Sequence, residues 1–449
     1  MTSDLTTRFP LGASVTAAEL EADPHPALAR LRAAEPVSWL PALGGWLVTA
    51  RAPAVRVMRD AAAFTVDDPR FSTARVVGPS MLSLDGPVHA RHRDPFARPF
   101  RPARTRERFT AFVEDEVDRL VTALAPAGRA ELRADLAGPL AVAVVAEALG
   151  LDGVDAATIR SWYGAFVDAV SAITAGGPLG GTVSERSSDA YARLRAAVEN
   201  AIGEADGGAD GGADGDGSDT GAGLDGGGSD GGPDGGPDGG PDGGADGGAD
   251  GGAGSLLAEA ARHEAGLTTA EVVANAAILM FGGIDTTEGM IANAALHLLS
   301  DPGQLRLVLD DPDLLPGAIE ESLRLEPSAS VVDRYATRDV DLDTGNGTGV
   351  TVRAGDLVRV SIAAANRDPA LFPDPDRFDV RRGNAGDHLA FARGPHFCFG
   401  AHLARLEART ALAALLERLP GLRLDPSRDA APRGLVFRKP PALHVLWDR

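Results

Sequence analysis

Cys398 is the only cysteine among 449 residues, so no intrachain disulfide can staple this chain and its fold must rest on buried apolar side chains. The thiol lies in Phe391-Ala-Arg-Gly394-Pro-His396-Phe-Cys398-Phe-Gly400, directly before the helix-like stretch Ala401-His-Leu-Ala-Arg-Leu-Glu. Unpaired N–H groups at a helix N-terminus favour an anion, so a cysteine aimed there is expected as a thiolate. A thiolate is one of the few axial ligands that proteins offer to haem iron, and it pushes electron density toward O–O cleavage. A lone cysteine is also commonly just a small buried hydrophobe. The neighbours favour the first reading: Gly394 and Gly400 let backbone approach a flat cofactor, and Arg393 and His396 can meet its anionic edge.

Hydrophobic residues make up 44% of the sequence, enough for one large core or two poorly separated lobes. A net charge of -21 argues against a nucleic-acid partner. More than half of that charge comes from twelve Asp within residues 205–254, which hold no Arg or Lys. Elsewhere nearly every cation is Arg, with Lys439 the sole lysine, a usage that points to a GC-rich, actinobacterial-like genome. The start, Met1-Thr-Ser-Asp-Leu-Thr-Thr-Arg, lacks the apolar stretch of an export signal. The most apolar run, Val272 to Ile284, is interrupted by Asn275, Gly282 and Gly283 and falls short of the roughly 20 residues that span a bilayer. A cytoplasmic protein with no membrane association is expected.

Periodicity predicts helices at Pro24 to Glu35 and over about 107–126, 134–150, 155–173 and 184–203. Trp39 to Val48 reads as two short strands joined through Gly44-Gly45. Thr268-Thr-Ala-Glu271 is a capping box opening a long helix to about Ser300, after which Asp301-Pro302 starts another. Asp313 to Leu325 is a further helix, β-like pieces such as Leu357 to Ile362 follow, and the last long helix begins near Gly400. Residues 205–254 repeat Gly-Gly-Ala/Pro-Asp and cannot bury enough apolar surface to offset ordering entropy, so a flexible acidic insertion is expected. A calcium-binding β-roll would need an apolar residue at each turn, and only Leu224 interrupts the tract.

Two adjacent glycines inside a helix each cost about 1 kcal/mol relative to Ala. Phe281-Gly282-Gly283-Ile284-Asp285-Thr286-Thr287 therefore calls for a compensating purpose: a kink, or close approach of a planar cofactor or O2, with Asp285 and Thr286 placed to relay protons. Taken alone, the string also fits tight helix packing with an ordinary Asp-Thr surface. Glu321-Ser-Leu-Arg324 places opposite charges at i and i+3, by itself a common solvated pair.

Together these strings resemble the cytochrome P-450 family. The cysteine loop matches its haem signature F-x-x-G-x-H-x-C-x-G, Gly282-Gly283-Ile284-Asp285-Thr286 its oxygen-activating motif, and Glu321 with Arg324 its E-x-x-R motif. The resemblance runs from about Pro24 to the C-terminus. It implies a mainly α fold with small β-sheets (α+β), a single domain over residues 1–449 interrupted by the 205–254 insertion, and haem b ligated by Cys398. It further implies haem contacts from His89, Arg93, Gly282, Gly283, Arg334, Phe391, His396 and Gly400. A buried network of Glu321, Arg324 and Arg377 would support the cysteine loop. Phe281 departs from the pattern, replacing a small residue, which would reshape the distal pocket.

The activity so implied is insertion of one oxygen atom from O2 into a small, largely apolar organic substrate, a hydroxylation in secondary metabolism. With no flavin domain in the chain, electrons would come from an external donor such as ferredoxin with ferredoxin reductase. Substrate contacts are expected from Phe71 to Leu84, Thr174 to Thr182, the Gly282 region and Ser328 to Val332. Oxidative coupling or other non-insertion chemistry is the rival within enzymes, and a non-catalytic haem-binding sensor the rival outside them. The acid–threonine pair argues against the sensor.

Overall fold

Apolar residues in two short runs around Gly44 produce the expected hairpin, β1 (Val37–Leu40) and β2 (Gly45–Val48), in antiparallel register from Val37 opposite Val48 to Leu40 opposite Gly45. The turn between them closes on Gly44 at φ 62, a left-handed conformation that suits glycine. With β3 (Phe64–Thr65), β4 (Val331–Ala336) and β5 (Leu357–Ser361), the hairpin forms a five-stranded sheet in the order β1-β2-β5-β4-β3. Only the β2–β5 pairing is parallel. Trp46, Val48, Phe64, Val358 and Val360 are buried along it. In this computed structural model residues 2–151, 153–175, 184–209, 256–344 and 349–449 are described.

Helices make up most of the remainder. The principal ones are α1 (Gly86–Ala97), α2 (Pro102–Leu124), α3 (Gly138–Leu149), α4 (Ala156–Ala175), α5 (Glu185–Ala209), α6 (Thr269–Gly283), α7 (Asp285–Ser300), α8 (Leu315–Leu325) and α9 (Ala401–Arg418). α2 begins at Pro102, ahead of the expected start, because proline at the first helical position forfeits only an N–H that would have been unpaired. α5 runs past its expected end, so the first residues of the acidic tract continue it as far as Ala209. The rest of that tract, residues 210–254, lies outside the described residues, as do residues 176–182 of the Thr174 to Thr182 connection.

The capping box at Thr268 is formed in both directions, the Glu271 N–H donating to the Thr268 hydroxyl and the Thr268 N–H to the Glu271 carboxylate. The long helix it opens is not continuous. It breaks between α6 and α7 at Ile284, immediately after the glycine pair, which fits the expected kink. α7 packs on α3, α8 and α9, and α9 lies along α2. Leu140, Val273, Ile291, Leu412 and Leu415 are among the side chains fully enclosed there, each worth about 1.5–3 kcal/mol relative to exposure for residues of this size.

Candidate functional site

The cysteine loop is held tightly by its backbone. The Cys398 N–H donates to Phe391 O at 2.9 Å, and Gly394–His396 form a single 3-10 turn. Gly394 is required twice over: its φ is 76, and a Cβ there would lie 2.7 Å from Met58 O and 2.9 Å from Arg59 Cα. Ala392 also takes a positive φ of 59, a strained conformation for a residue with a Cβ. Arg405 lies over the Phe391 ring at 4.5 Å, and Arg93 lies over Phe399 at 5.0 Å while donating to Phe397 O at 2.7 Å.

Cys398 is exposed. Burial pushes its thiol up, and this outweighs the opposing pull of the Gly400 amide and of Arg93 and Arg405. The donors at the helix N-terminus thus act against desolvation, and a metal ion deprotonates a coordinating thiol outright, so the expected thiolate is the form in which Cys398 would bind iron.

Four cationic or imidazole side chains gather beside the loop. His396 Nε2 is 2.8 Å from Asp85 Oδ1, and the His89 and His396 rings stand 4.4 Å apart. Although burial alone would raise it, hydrogen bonds from His396, Thr65 and the Val66 amide hold Asp85 down at about 2. Burial, followed by the fields of His396 and Arg93, lowers His89 to about 4, so its ring is neutral at pH 7. Its Nε2 is buried with no hydrogen-bond partner among the described residues. Arg334 on β4 is 5% exposed, and burial depresses its guanidinium pKa. A buried orphan donor, a desolvated arginine and an accessible thiol form the donor set that haem requires, with carboxylates at one edge and iron at the centre. The residues present fit that group.

At the helix break the two glycines behave differently. Beside Gly282 a Cβ would meet nothing within 4 Å, whereas at Gly283 it would come within 2.7 Å of Val145 Cγ2. The reading of both as cofactor-approach residues is corrected at Gly283, which allows α6 to pack closely on α3. Thr286 Oγ1 donates back to Gly282 O across the break, one turn earlier. Asp285, the first residue of α7, pairs with Lys439 Nζ. Phe281 meets Phe437 with ring centroids 5.4 Å apart, so the pattern-breaking aromatic is matched by one from the C-terminal segment.

The third member of the expected support network is also corrected. Glu321 and Arg324 are fully buried and paired as expected, with Nε to Oε2 at 2.7 Å. Arg377, however, offers only its carbonyl, which accepts from Arg324 at 3.2 Å and Arg382 at 3.1 Å, and its side chain is 63% exposed. Arg382 takes the predicted place, its Nε donating to Glu321 Oε1 at 2.9 Å. The turn from Asp379 to Arg382 brings it back over the carboxylate; Arg377 sits before that turn and faces outward. Sequence reasoning also passed over Asp85 and Lys439. The Asp85-Gly-Pro string and the uniqueness of the lysine were their only signals.

An accessible thiol in a glycine-bounded loop, an orphaned imidazole and buried arginine beside it, and a broken helix carrying an acid–alcohol pair define a haem-thiolate oxygenase. A family profile described as Cytochrome P450 matches residues 309–444. The chain is 36% identical to the cytochrome P450 monooxygenase PikC of Streptomyces venezuelae, over 96% of this chain and 92% of that protein. It is 32% identical to the mycinamicin IV hydroxylase/epoxidase of Micromonospora griseorubida, over 93% and 94% of the two chains. Among solved structures it resembles CalO2 with a TM-score of 0.77 at 27% identity, covering 96% of this chain and 99% of that one. The chain belongs to the cytochrome P450 family: it is a monooxygenase using haem-thiolate chemistry, O2, an electron-transfer partner and an organic substrate. Among the described residues no helix is long and apolar enough to cross a membrane.

Proposed function

We propose that Cys398 is the axial ligand of haem b, that His89, Arg93, Arg334 and His396 face its carboxylates, and that Asp285 and Thr286 manage protons on the opposite side. The observation that carries this reading is the orphaned, neutral His89 Nε2 beside His396, within the same cluster as the cysteine loop. When bound, the haem iron supplies O2 binding and its reductive activation. The protein's own part is to hold the thiol, exclude water and deliver protons at a fixed point. Thr286 Oγ1, beside the open face of Gly282, is the hydroxyl that would present a proton to the pocket, and Asp285 is the carboxylate that would resupply it.

The substrate is an apolar secondary metabolite, held by Phe281, Phe437 and the Phe71 to Leu84 segment. The support is that Met81 is buried and pinned through its N–H to Asn275 Oδ1 at 2.8 Å, and that Ser330 N–H donates to Val436 O at 2.8 Å, tying the Ser328 to Val332 segment to the chain that carries Phe437. Electrons come from a ferredoxin and its reductase in the cytoplasm. The chain forms one domain, because α5 and the helix Leu256–Arg262, which flank the acidic sequence, bury side chains in the same core.

The test is Thr286→Ala in the haem-loaded, ferredoxin-reconstituted enzyme. It is expected to bind substrate with the wild-type Soret shift and to consume electrons, but to release them as hydrogen peroxide with little product. Product formation coupled as tightly as in the wild type would overturn the proton assignment.

A further inference from the structure

The carboxylate assigned to proton supply sits at the break in the helix. Asp285 opens α7 directly after the break at Ile284, where the ladder that fixes helical side chains is interrupted. What meets it comes from far along the chain. Lys439 Nζ pairs with Asp285 Oδ1 and lies 3.2 Å from Glu288 Oε1, one turn further along α7. The lysine stem runs past Gly289, where a Cβ would stand 3.4 Å from Lys439 Cδ and only 2.9 Å from Ser328 Oγ, so the glycine admits Ser328 beside it.

The backbone carrying this lysine is firmly anchored. Its neighbour Arg438 is 2% exposed, pairs with Glu326 at 3.0 Å, and gives its carbonyl to Asn293 Nδ2 at 2.9 Å. Its N–H donates to Ser328 O, and Arg433 and Lys439 are bridged across the hairpin. Phe437, two residues back, reaches the Phe281 ring. An anchored hairpin thus delivers one cation to the carboxylate at the helix break, and in the whole sequence it is the only lysine. Arg133, itself paired with Glu288 through Nε at 2.6 Å, Arg160, whose Nη1 lies 3.9 Å from Glu288 Oε2, and Tyr163, whose buried phenol is held protonated beside Asp285 and Glu288, also face the group.

We propose that Lys439 is the positioning residue of the proton relay, fixing the Asp285 carboxylate at the helix break so that it can pass protons to Thr286. This rests on the assignment of Asp285 made above. An ammonium suits the task because it is a compact point charge with rotatable donors, able to keep one bond to Asp285 and another to Glu288. It acts through Asp285.

Three variants and one spectroscopic probe test this. Lys439→Met keeps the apolar stem over Gly289 and removes the charge. It is expected to retain haem and the substrate-induced Soret shift, while turnover falls about 10-fold and the solvent isotope effect rises. Lys439→Arg should recover most of the loss, and Asp285→Asn should reproduce it. Because there is one lysine, selective 15N-lysine labelling gives a single side-chain ammonium signal, read in the diamagnetic ferrous CO form. That signal is expected to shift in Asp285→Asn, a readout that holds even if Lys439→Met fails to retain haem. Wild-type turnover and isotope effect in Lys439→Met, with Asp285→Asn impaired, would overturn the role of Lys439 while leaving the relay intact. An ammonium signal unmoved by Asp285→Asn would overturn the pairing itself. Unimpaired turnover in Asp285→Asn would remove the relay on which the inference rests.

Discussion

Glu321 on α8 accepts hydrogen bonds from two arginines at once, Arg324 one turn along its own helix at 2.7 and 2.8 Å and Arg382 from the coil before the cysteine loop at 2.9 Å. The Asp379 N–H adds a fourth bond at 3.1 Å. One carboxylate thereby ties a helix to the coil leading to Cys398, and Arg324 extends the tie through the carbonyls of Asn366, Pro375 and Arg377. These charges are taken out of water, so the arrangement is stable only while every partner is present.

Removing Arg382 should therefore loosen the loop, and removing the Arg377 side chain should not. In Arg382→Ala, Glu321 keeps Arg324 but loses one buried partner, a loss of about 1–3 kcal/mol. Arg377→Ala leaves its carbonyl in place and should stay within about 0.5 kcal/mol of wild type. Denaturant midpoints and haem retention measured side by side decide between them. Equal damage from both substitutions would mean that the exposed guanidinium matters in a way the pairing does not explain.

How much of this was readable beforehand depended on whether the signal was local. The helix cap at Thr268, the glycine break, the Gly44 turn and the Glu321–Arg324 spacing are all short-range patterns, and each is where the residues place it. Arg382 was missed because three arginines, Arg377, Arg381 and Arg382, lie within six residues and only the path of the coil decides which side chain returns to Glu321. Lys439 was missed for a stronger reason: its partner lies 154 positions away, a separation no periodicity records. At Cys398 the helix-terminus donors can be read from sequence, whereas the desolvation that opposes them depends on the walls that surround the site.

Those walls make a sharp spectroscopic prediction. A metal ion deprotonates a coordinating thiol outright even where burial opposes the anion, so the haem-loaded, reduced protein with CO should absorb near the wavelength typical of thiolate haem. Cys398→Ser should lose that band, because a hydroxyl is a far weaker acid than a thiol and offers the iron no thiolate sulfur. An unchanged spectrum in the variant would remove Cys398 from the iron.

His297 carries the clearest pH dependence outside the site. Burial lowers its pKa from 6.5 to about 4, Glu326 opposing this and nearby arginines reinforcing it, while Nδ1 lies 2.9 Å from Ser322 Oγ. The unfolded chain then binds a proton that the folded one rejects, so stability is whole above pH 6.5 and is lost as pH falls toward 4. At 1.36 kcal/mol per pH unit, the loss from this one ring between pH 6.5 and 5 is about 2 kcal/mol. Urea denaturation of His297→Gln at both pH values should show that portion of the slope removed, and a slope identical to wild type would assign the acid sensitivity elsewhere.

The last prediction concerns the donor. Arg98, Arg101, Arg104 and Arg106 are all exposed at the corner between α1 and α2, and Arg409 is exposed on α9. Arg106, His402, Arg405 and Arg409 line a groove of about 240 Å³ on the helix that follows Cys398. Arg405 is engaged by Glu320 at 2.6 and 2.8 Å, so the outward field there comes mainly from the others. In a chain of net charge -21, this concentration of cations beside the cysteine helix is the face an acidic ferredoxin would be drawn to. The Debye length shrinks from about 30 Å at 0.01 M to about 8 Å at 0.15 M ionic strength, so the second-order rate of reduction by such a donor should fall steeply over that range. Arg106→Glu and Arg409→Glu together should lower the low-salt rate by about tenfold and flatten the salt profile, with the substrate-induced Soret shift unchanged. Stopped-flow reduction followed as CO-complex formation measures both quantities. A wild-type rate indifferent to salt, or a double variant reduced as fast as wild type, would place the donor on another face.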